Sequence, residues 1–309
     1  MKIIITGASG FIGRHLAVFF SNRGYDVVAL SRNPQTTQKL FDSRVKCLPF
    51  VMGDPAPWLS ELQNTRILIN LIGENIGTHL WTKAYRQRLR SSRVESVLTI
   101  LKALEKVKPA SLTYIQASAV GYYGNTALPV DEQGSMGADF LARLTYDWER
   151  ATDAIAEMGI RRLILRFGVI LGRTGGALPR LLMPYKFFLG GVMGSGRQGF
   201  SWMHIEDLER AMEFLINNEP LQGVFNFVAP NPVSQKELSQ TIAALLHRPD
   251  FFRIPAWPLK FILGDMAEIL LLGGQYVKPA ALLSAGFEFK YPELRDALNS
   301  LLREQAKTR

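Results

Sequence analysis

Residues 2–13 read Lys-Ile-Ile-Ile-Thr-Gly-Ala-Ser-Gly-Phe-Ile-Gly: a short apolar strand that runs into three glycines, Gly7, Gly10 and Gly13, and then into a helical pattern. Such a turn lets backbone amides at a helix N-terminus approach a pyrophosphate, because no Cβ blocks the way. A glycine triplet alone is a weak signal, since an ordinary strand-to-helix turn also uses one. The strand before it, the helix after it and its place at the N-terminus supply the context of a dinucleotide-binding turn. Ser9, Phe11 and Ile12 lie in the same turn and count with the glycines as candidate cofactor contacts.

The second strand, Asp26-Val-Val-Ala-Leu30, ends in Ser31-Arg32-Asn33. A site that prefers NAD usually places Asp or Glu there, about 20 residues after the glycines, to hold the ribose hydroxyls. No acid stands at this strand end. Arg32 can instead pair with a 2′-phosphate through its planar fork, and Ser31 can donate a hydrogen bond to it. The competing reading makes Arg32 a solvated surface charge. The expected cofactor is NADP(H).

A chain of 309 residues, 47% apolar and 20% charged, is long enough for one large α/β domain or for a core domain with a smaller lobe. The single cysteine, Cys47, excludes an internal disulfide and a multi-cysteine metal site, and no metal is expected. It lies in an apolar run and reads as a buried structural thiol. No signal peptide is expected before the first strand. The apolar segment Leu259 to Leu272 is too short to span a membrane and is broken by Lys260, Asp265 and Glu268. A cytoplasmic protein with a small-molecule substrate is expected, with neither membrane nor nucleic acid as partner. The net charge of +9 is spread along the chain. Its densest run, Lys83 to Arg93, puts residues 86, 90 and 93 on one helical face. That face is either simply solvated or focuses a positive field on an anionic cofactor or substrate. Nucleic acid comes third, for want of a recognition motif. The oligomeric state stays open.

Strands and helices alternate through the first half, the pattern of a doubly wound parallel sheet. Further strands are read at Val45–Phe50, Arg66–Leu71, Leu112–Ala117 and Arg161–Phe167, and helices at about Trp81 to Lys106 and Asp139 to Met158. Glycine clusters at 173–177 and 190–196 read as loops arching over a pocket. A helix near Ile205–Asn217, a strand at Val224–Val228 and a capping box at Ser234-Gln-Lys-Glu237 follow. The expected fold is α/β: a Rossmann-like sheet over residues 1–172, receiving parts of 200–230, with a smaller C-terminal α/β substrate lobe over 173–309.

Ser118-Ala-Val-Gly-Tyr122-Tyr123 sits where the fifth strand leaves the sheet at its carboxyl end, the edge at which ligands bind in such sheets. Ser118 can hold a carbonyl or alcohol oxygen while a tyrosine exchanges its proton. Equally, the stretch can be a turn in which Ser118 bonds backbone and the tyrosines pack. Asn70-Leu71-Ile72-Gly73 occupies the same edge after the fourth strand. His204, before Glu206 and Asp207, reads as a hydrogen-bonded anchor of the following helix rather than a general base.

These residues carry a resemblance. Thr6-Gly-Ala-Ser-Gly-Phe-Ile-Gly13 resembles the cofactor signature of the extended, atypical short-chain dehydrogenases/reductases of the nucleotide-sugar epimerase superfamily. Asn70-Leu-Ile-Gly-Glu-Asn75, Trp81, Ser92-Arg93, Gly194-Ser-Gly-Arg-Gln198, Trp202-Met-His-Ile-Glu-Asp207 and Ala285-Gly-Phe287 resemble a narrower epimerase-like group, labelled cell-division-inhibitor-related. Its human relative is described as an NADP-dependent oxidoreductase. The resemblance covers nearly the whole chain. It implies that Ser31 and Arg32 contact the 2′-phosphate end, that Leu71, Ile72 and Gly73 line the adenosine pocket, and that Arg93 and Arg88 face the cofactor. It also implies that Val169 lies near the nicotinamide, and that Gly196, Arg197 and His204 fall where relatives hold a substrate diphosphate.

One departure stands out. Competent members of the superfamily carry Tyr-x-x-x-Lys in the helix after the serine loop, where the lysine lowers the tyrosine pKa. Here that helix reads Phe140-Leu-Ala-Arg-Leu-Thr-Tyr-Asp-Trp-Glu149, and Leu141 and Thr145 fall at the two positions. Tyr122, Tyr123 or Tyr146 can substitute as the acid, with Arg143 supplying charge. Two functions remain open. One is an NADP(H)-dependent oxidoreductase or epimerase-like enzyme for a small oxygenated substrate, free or nucleotide-linked. The other is a non-catalytic NADP(H)-binding sensor or regulatory interaction protein that has lost the relay.

Overall fold

The computed structural model describes residues 1–306. Its central sheet holds seven strands: β1 (Lys2–Thr6), β2 (Asp26–Ser31), β3 (Val45–Pro49), β4 (Thr65–Asn70), β5 (Thr113–Ala119), β6 (Arg161–Phe167) and β7 (Gly223–Phe227). Their spatial order is β7-β6-β5-β4-β1-β2-β3. β1 pairs in parallel with β2 and with β4, β2 with β3, and β4 with β5. Helices flank the sheet, the doubly wound Rossmann-like arrangement expected from the alternation of elements. Parallel strands covered on both faces need near-continuous apolar runs; accordingly Ile3, Ile4, Ile5, Val27, Val28, Leu30, Leu68 and Ile69 are fully buried. The strand order reverses between β1 and β4, and this switch point opens a crevice at their carboxyl ends.

Three local readings differ from expectation. The helix read from 139 to 158 is two helices, Phe140–Arg150 and Asp153–Glu157. The Thr152 hydroxyl donates to the Glu149 carbonyl at 2.6 Å, offering the backbone a turn in place of a continued helix. The apolar segment after Pro255 is likewise two helices, Ala256–Leu263 and Asp265–Leu270, separated by Gly264 at φ +56°. Between the two glycine clusters, read as loops, a helix forms at Leu178–Lys186, because Leu178, Leu182 and Tyr185 recur on one face and are buried.

Close packing divides the chain into two units. One comprises Met1–Ser118, Leu144–Leu165 and Met212–Val224, and contains the glycine turn. The other comprises Ala119–Arg143, Arg166–Ala211 and the chain from Phe225 onward, around a core of Leu171, Leu182, Trp202, Leu238, Leu298 and their neighbours.

Cys47 on β3 is half-buried, and desolvation pushes its thiol above the usual range. Because the thiolate is the nucleophile, alkylation at neutral pH is expected to be several-fold slower than that of a free model thiol and to match it only after unfolding. Thiol titration in buffer and in denaturant measures both.

Candidate functional site

The glycine turn is shaped by contacts that no other residue permits. Gly7 has φ +68°, and a Cβ on it would lie 3.0 Å from the Leu71 carbonyl carbon and oxygen. A Cβ on Gly13 would come within 2.4 Å of the Gly7 oxygen, so the helix Phe11–Asn22 packs directly on the turn. That helix has no side-chain cap and no acid in its first turn. Its first internal bond runs from the Arg14 N–H to the Gly10 oxygen at 3.0 Å. The N–H groups of Phe11, Ile12 and Gly13 therefore have no intrahelical acceptor, and the helix dipole adds attraction for an anion.

A cavity of about 310 Å³ lies beside this helix start. It is lined by Gly7, Ser9 and Gly10 after β1, Ser31 and Arg32 at the end of β2, Phe50 and Met52 after β3, and Leu71, Ile72, Gly73 and Glu74 after β4. Four strand ends thus bring together residues read separately from the sequence. Phe50, Met52, Leu71 and Ile72 give the cavity an apolar wall suited to a planar ring, and Arg32 gives it a charge. Arg32 is exposed, with no hydrogen-bond or ion-pair partner among the described residues. Ser31 behaves otherwise. Its Oγ lies 2.7 Å from Thr37 Oγ1, whose only proton goes to the Asn33 carbonyl at 2.8 Å. Ser31 must then donate to Thr37, and it faces the cavity with lone pairs instead of the donor expected from the sequence.

Beneath the cavity floor is a buried polar cluster that the motif reading passed over. The Asn70 side chain accepts from the Thr6 hydroxyl at 2.7 Å and from the Ile72 N–H at 3.3 Å, and donates to Gln116 Oε1 at 3.1 Å. It ties the carboxyl ends of β1, β4 and β5 together and holds the Leu71–Ile72 backbone in place. Asn70→Ala would strand the buried Thr6 hydroxyl and remove one of two donors to the Gln116 carbonyl, which also accepts from Tyr114, at a cost of about 1–3 kcal/mol. Adding Thr6→Val should recover part of that loss, which a double-mutant cycle in urea measures.

Two arginines reach this region from the helix Lys83–Val107. The Arg93 guanidinium lies flat against Gly73, where a Cβ would stand only 3.2 Å away, and donates to the Leu89 carbonyl at 2.9 Å. It also sits 4.9 Å from the Trp148 ring centre, and burial pulls its pKa down to about 10. The Glu74 carboxylate acts against that desolvation, and a buried cation beside the cavity still favours an incoming anion. Arg88 lies 3.5 Å from Glu74 and is not among the residues lining the cavity.

Ser118, at the end of β5, is 2% exposed and its hydroxyl donates to Glu149 Oε1 at 2.5 Å. Glu149 was legible only as an alignment landmark; its role emerges because the helix Phe140–Arg150 carries it to the strand end. On that helix Arg143 donates twice to the Ala138 carbonyl, and Tyr146 is exposed.

In the second unit, Arg166 joins the two adjacent tyrosines. Its guanidinium carbon lies 3.4 Å over the Tyr122 ring, and its Nη1 donates to Tyr123 Oη at 2.9 Å. Tyr123 in turn donates to Asn226 Oδ1 at 2.8 Å, and burial raises its pKa despite the cation beside it. Neither Arg166 nor Asn226 belongs to a motif. Val169 donates its N–H to the Ser201 carbonyl and is paired with Trp202. Gly196 is buried at φ +70°, with its Cβ position 2.5 Å from Val192, whereas Arg197 is exposed. His204 Nδ1 accepts the Glu206 N–H at 3.0 Å, its Nε2 lies 3.2 Å from Ser300 Oγ, and its ring stacks on Tyr291. Among the described residues no group of three or more His, Cys, Asp or Glu side chains is placed to hold a metal ion.

A parallel doubly wound sheet with a Gly-x-x-Gly-x-x-Gly turn and an open helix start defines a Rossmann-like, extended short-chain dehydrogenase/reductase type of protein. Residues 3–227 match the NAD dependent epimerase/dehydratase family, and the chain belongs to it. Residues 254–301 match a domain of unknown function, DUF1731. The chain is 36% identical over 307 residues to the epimerase family protein YfhF of Bacillus subtilis (strain 168), with 99% of each chain covered. Human epimerase family protein SDR39U1 (isoform 2), solved with NADPH, superposes with a TM-score of 0.83 at 30% identity over 98% of this chain and 99% of that one. A nucleoside-diphosphate sugar epimerase from Corynebacterium glutamicum superposes with a TM-score of 0.77 at 28% identity, over 98% of this chain and 58% of that one.

Proposed function

We propose that this protein binds NADP(H) in the cavity beside the glycine turn and acts as an oxidoreductase or epimerase-like enzyme on a small oxygenated substrate. The observation that carries the cofactor is Arg32: a guanidinium on the cavity wall with no partner among the described residues, at the strand end where a carboxylate would repel a 2′-phosphate. The open N–H groups of Phe11, Ile12 and Gly13 would receive the pyrophosphate, and Phe50, Met52 and Leu71 would hold the adenine. The similarity to a human relative solved with NADPH supports this assignment. When bound, the nicotinamide supplies or accepts a hydride. For the accompanying proton, Tyr122 is the side chain of choice, since it is less buried than Tyr123 and lies under a fixed cation, Arg166.

A second reading, an NADP(H)-binding sensor without turnover, is favoured by the closing of Ser118 against Glu149 and by the absence of Tyr-x-x-x-Lys. Titration with NADPH and NADH, followed by nicotinamide fluorescence, tests the cofactor: NADPH should bind roughly tenfold or more tightly. NADPH oxidation across carbonyls and nucleotide sugars then separates the readings. Turnover lost in Tyr122→Phe establishes the enzyme; binding with no turnover on any of them establishes the sensor.

A further inference from the structure

The second unit exposes an unusual amount of aromatic and aliphatic surface. The helix Ala256–Leu263 buries none of its residues, and Trp257, Phe261 and Ile262 on it are 72%, 88% and 66% exposed. Phe187, Phe188 and Leu189 are each more than half exposed, as is Phe251. These segments are neighbours. The strand Gly191–Met193 that follows Leu189 pairs with Phe252–Ile254, which leads through Pro255 into the exposed helix. Arg248 lies 4.4 Å over the Phe188 ring and closes the other end. A contiguous apolar face of this kind marks a binding surface.

Its charge identifies the occupant. Residues 180–189 and 248–262 contain Arg180, Lys186, Arg248, Arg253 and Lys260 against Asp250, which accepts a hydrogen bond from Ser239; the next helix adds Asp265 and Glu268, of which Glu268 pairs with Lys260 at 3.3 Å. We propose that this face docks on an anionic lipid bilayer, with Trp257, Phe261 and Ile262 entering the headgroup boundary and the basic side chains meeting lipid phosphates. Exposed aromatics on a short helix, with Lys and Arg on the segments beside it, are the composition of an interfacial anchor. A second copy of this chain fits less well, because a two-fold interface would set the same five cations against one another. No helix among the described residues is long and apolar enough to cross a membrane. The contact is therefore superficial, and it departs from the expectation that no membrane is a partner.

The chain carries its own reporter. Trp58, Trp81, Trp148 and Trp202 are all buried, so Trp257 is the exposed indole. Vesicles of phosphatidylglycerol and phosphatidylcholine should shift the emission to the blue and pellet with the protein, whereas pure phosphatidylcholine should do so far more weakly. Phe261→Ser with Ile262→Ser should cut partitioning more than about tenfold, and Lys186→Gln or Arg253→Gln about fivefold each. These positions are exposed, so NADPH affinity should not change and serves as the folding control. Three outcomes overturn the proposal: no blue shift with anionic vesicles; vesicle binding that survives the double serine substitution, which would reduce it to general attraction by a basic protein; or doubling of the mass in light scattering that the same substitution abolishes, which would assign the face to a second copy.

Discussion

Arg32→Ala is expected to weaken NADPH binding about 10–100-fold while changing NADH binding by no more than about twofold. The size follows from a charge-assisted pair to a phosphate, worth roughly 1.5–3 kcal/mol. The selectivity follows from geometry: Arg32 stands at the end of β2 without a partner among the described residues, so its loss disturbs nothing that both cofactors share. Because the guanidinium is exposed, the NADPH preference should also shrink with added salt in the wild type and respond little in the variant. Calorimetric titration of both cofactors at two ionic strengths measures the four affinities. Equal losses for NADPH and NADH would place Arg32 at a part of the cofactor common to both, and no loss at all would remove the 2′-phosphate from this strand end.

Gly13→Ala should have a larger effect on both binding and stability. The added methyl would overlap the Gly7 oxygen at 2.4 Å and the Ala8 Cα at 2.7 Å, and both neighbours are backbone that cannot rotate aside. The helix Phe11–Asn22 must then lift from the turn, carrying the Phe11 and Ile12 amides away from the cavity. A cost of about 3 kcal/mol, at the upper end for overpacking, is expected, with NADPH affinity falling beyond measurement. Gly24→Ala is the matched control. Gly24 also has a positive φ, +79°, yet nothing lies within 4 Å of its Cβ position. It should lose only about 1–2 kcal/mol to strain and keep its cofactor affinity. Urea unfolding together with NADPH titration separates strain from collision.

Much of the architecture was legible because its signals are local. Apolar runs marked β1 to β6, and the Ser234–Glu237 capping box marked its helix to the residue, with Glu237 Oε2 accepting the Ser234 N–H at 2.7 Å. The losses came where a local signal met a non-local one. The glycine clusters at 173–177 and 190–196 suggested loops and left the stretch between them unread, whereas burial of Leu178, Leu182 and Tyr185 makes it a helix. Thr152 ended a helix whose periodicity continued past it. In the site, the glycine turn, Arg32 and Leu71–Gly73 were readable because each follows its own strand. Asn70, Glu149, Arg166 and Asn226 were not, because each acts through a partner distant in sequence.

The sequence by itself determined the class of site: a strand, three glycines and a helix start admit a dinucleotide phosphate, and the arginine in place of an acid at the second strand end is what the proposed 2′-phosphate contact rests on. Those are properties of backbone space and charge within a few residues, which spacing records. Only the tertiary structure decided how the hydroxyls are used. Ser31 gives its proton to Thr37, Ser118 gives its own to Glu149, and Tyr122 lies beneath Arg166. A hydroxyl has one proton to donate, and which acceptor receives it depends on packing that brings remote segments together.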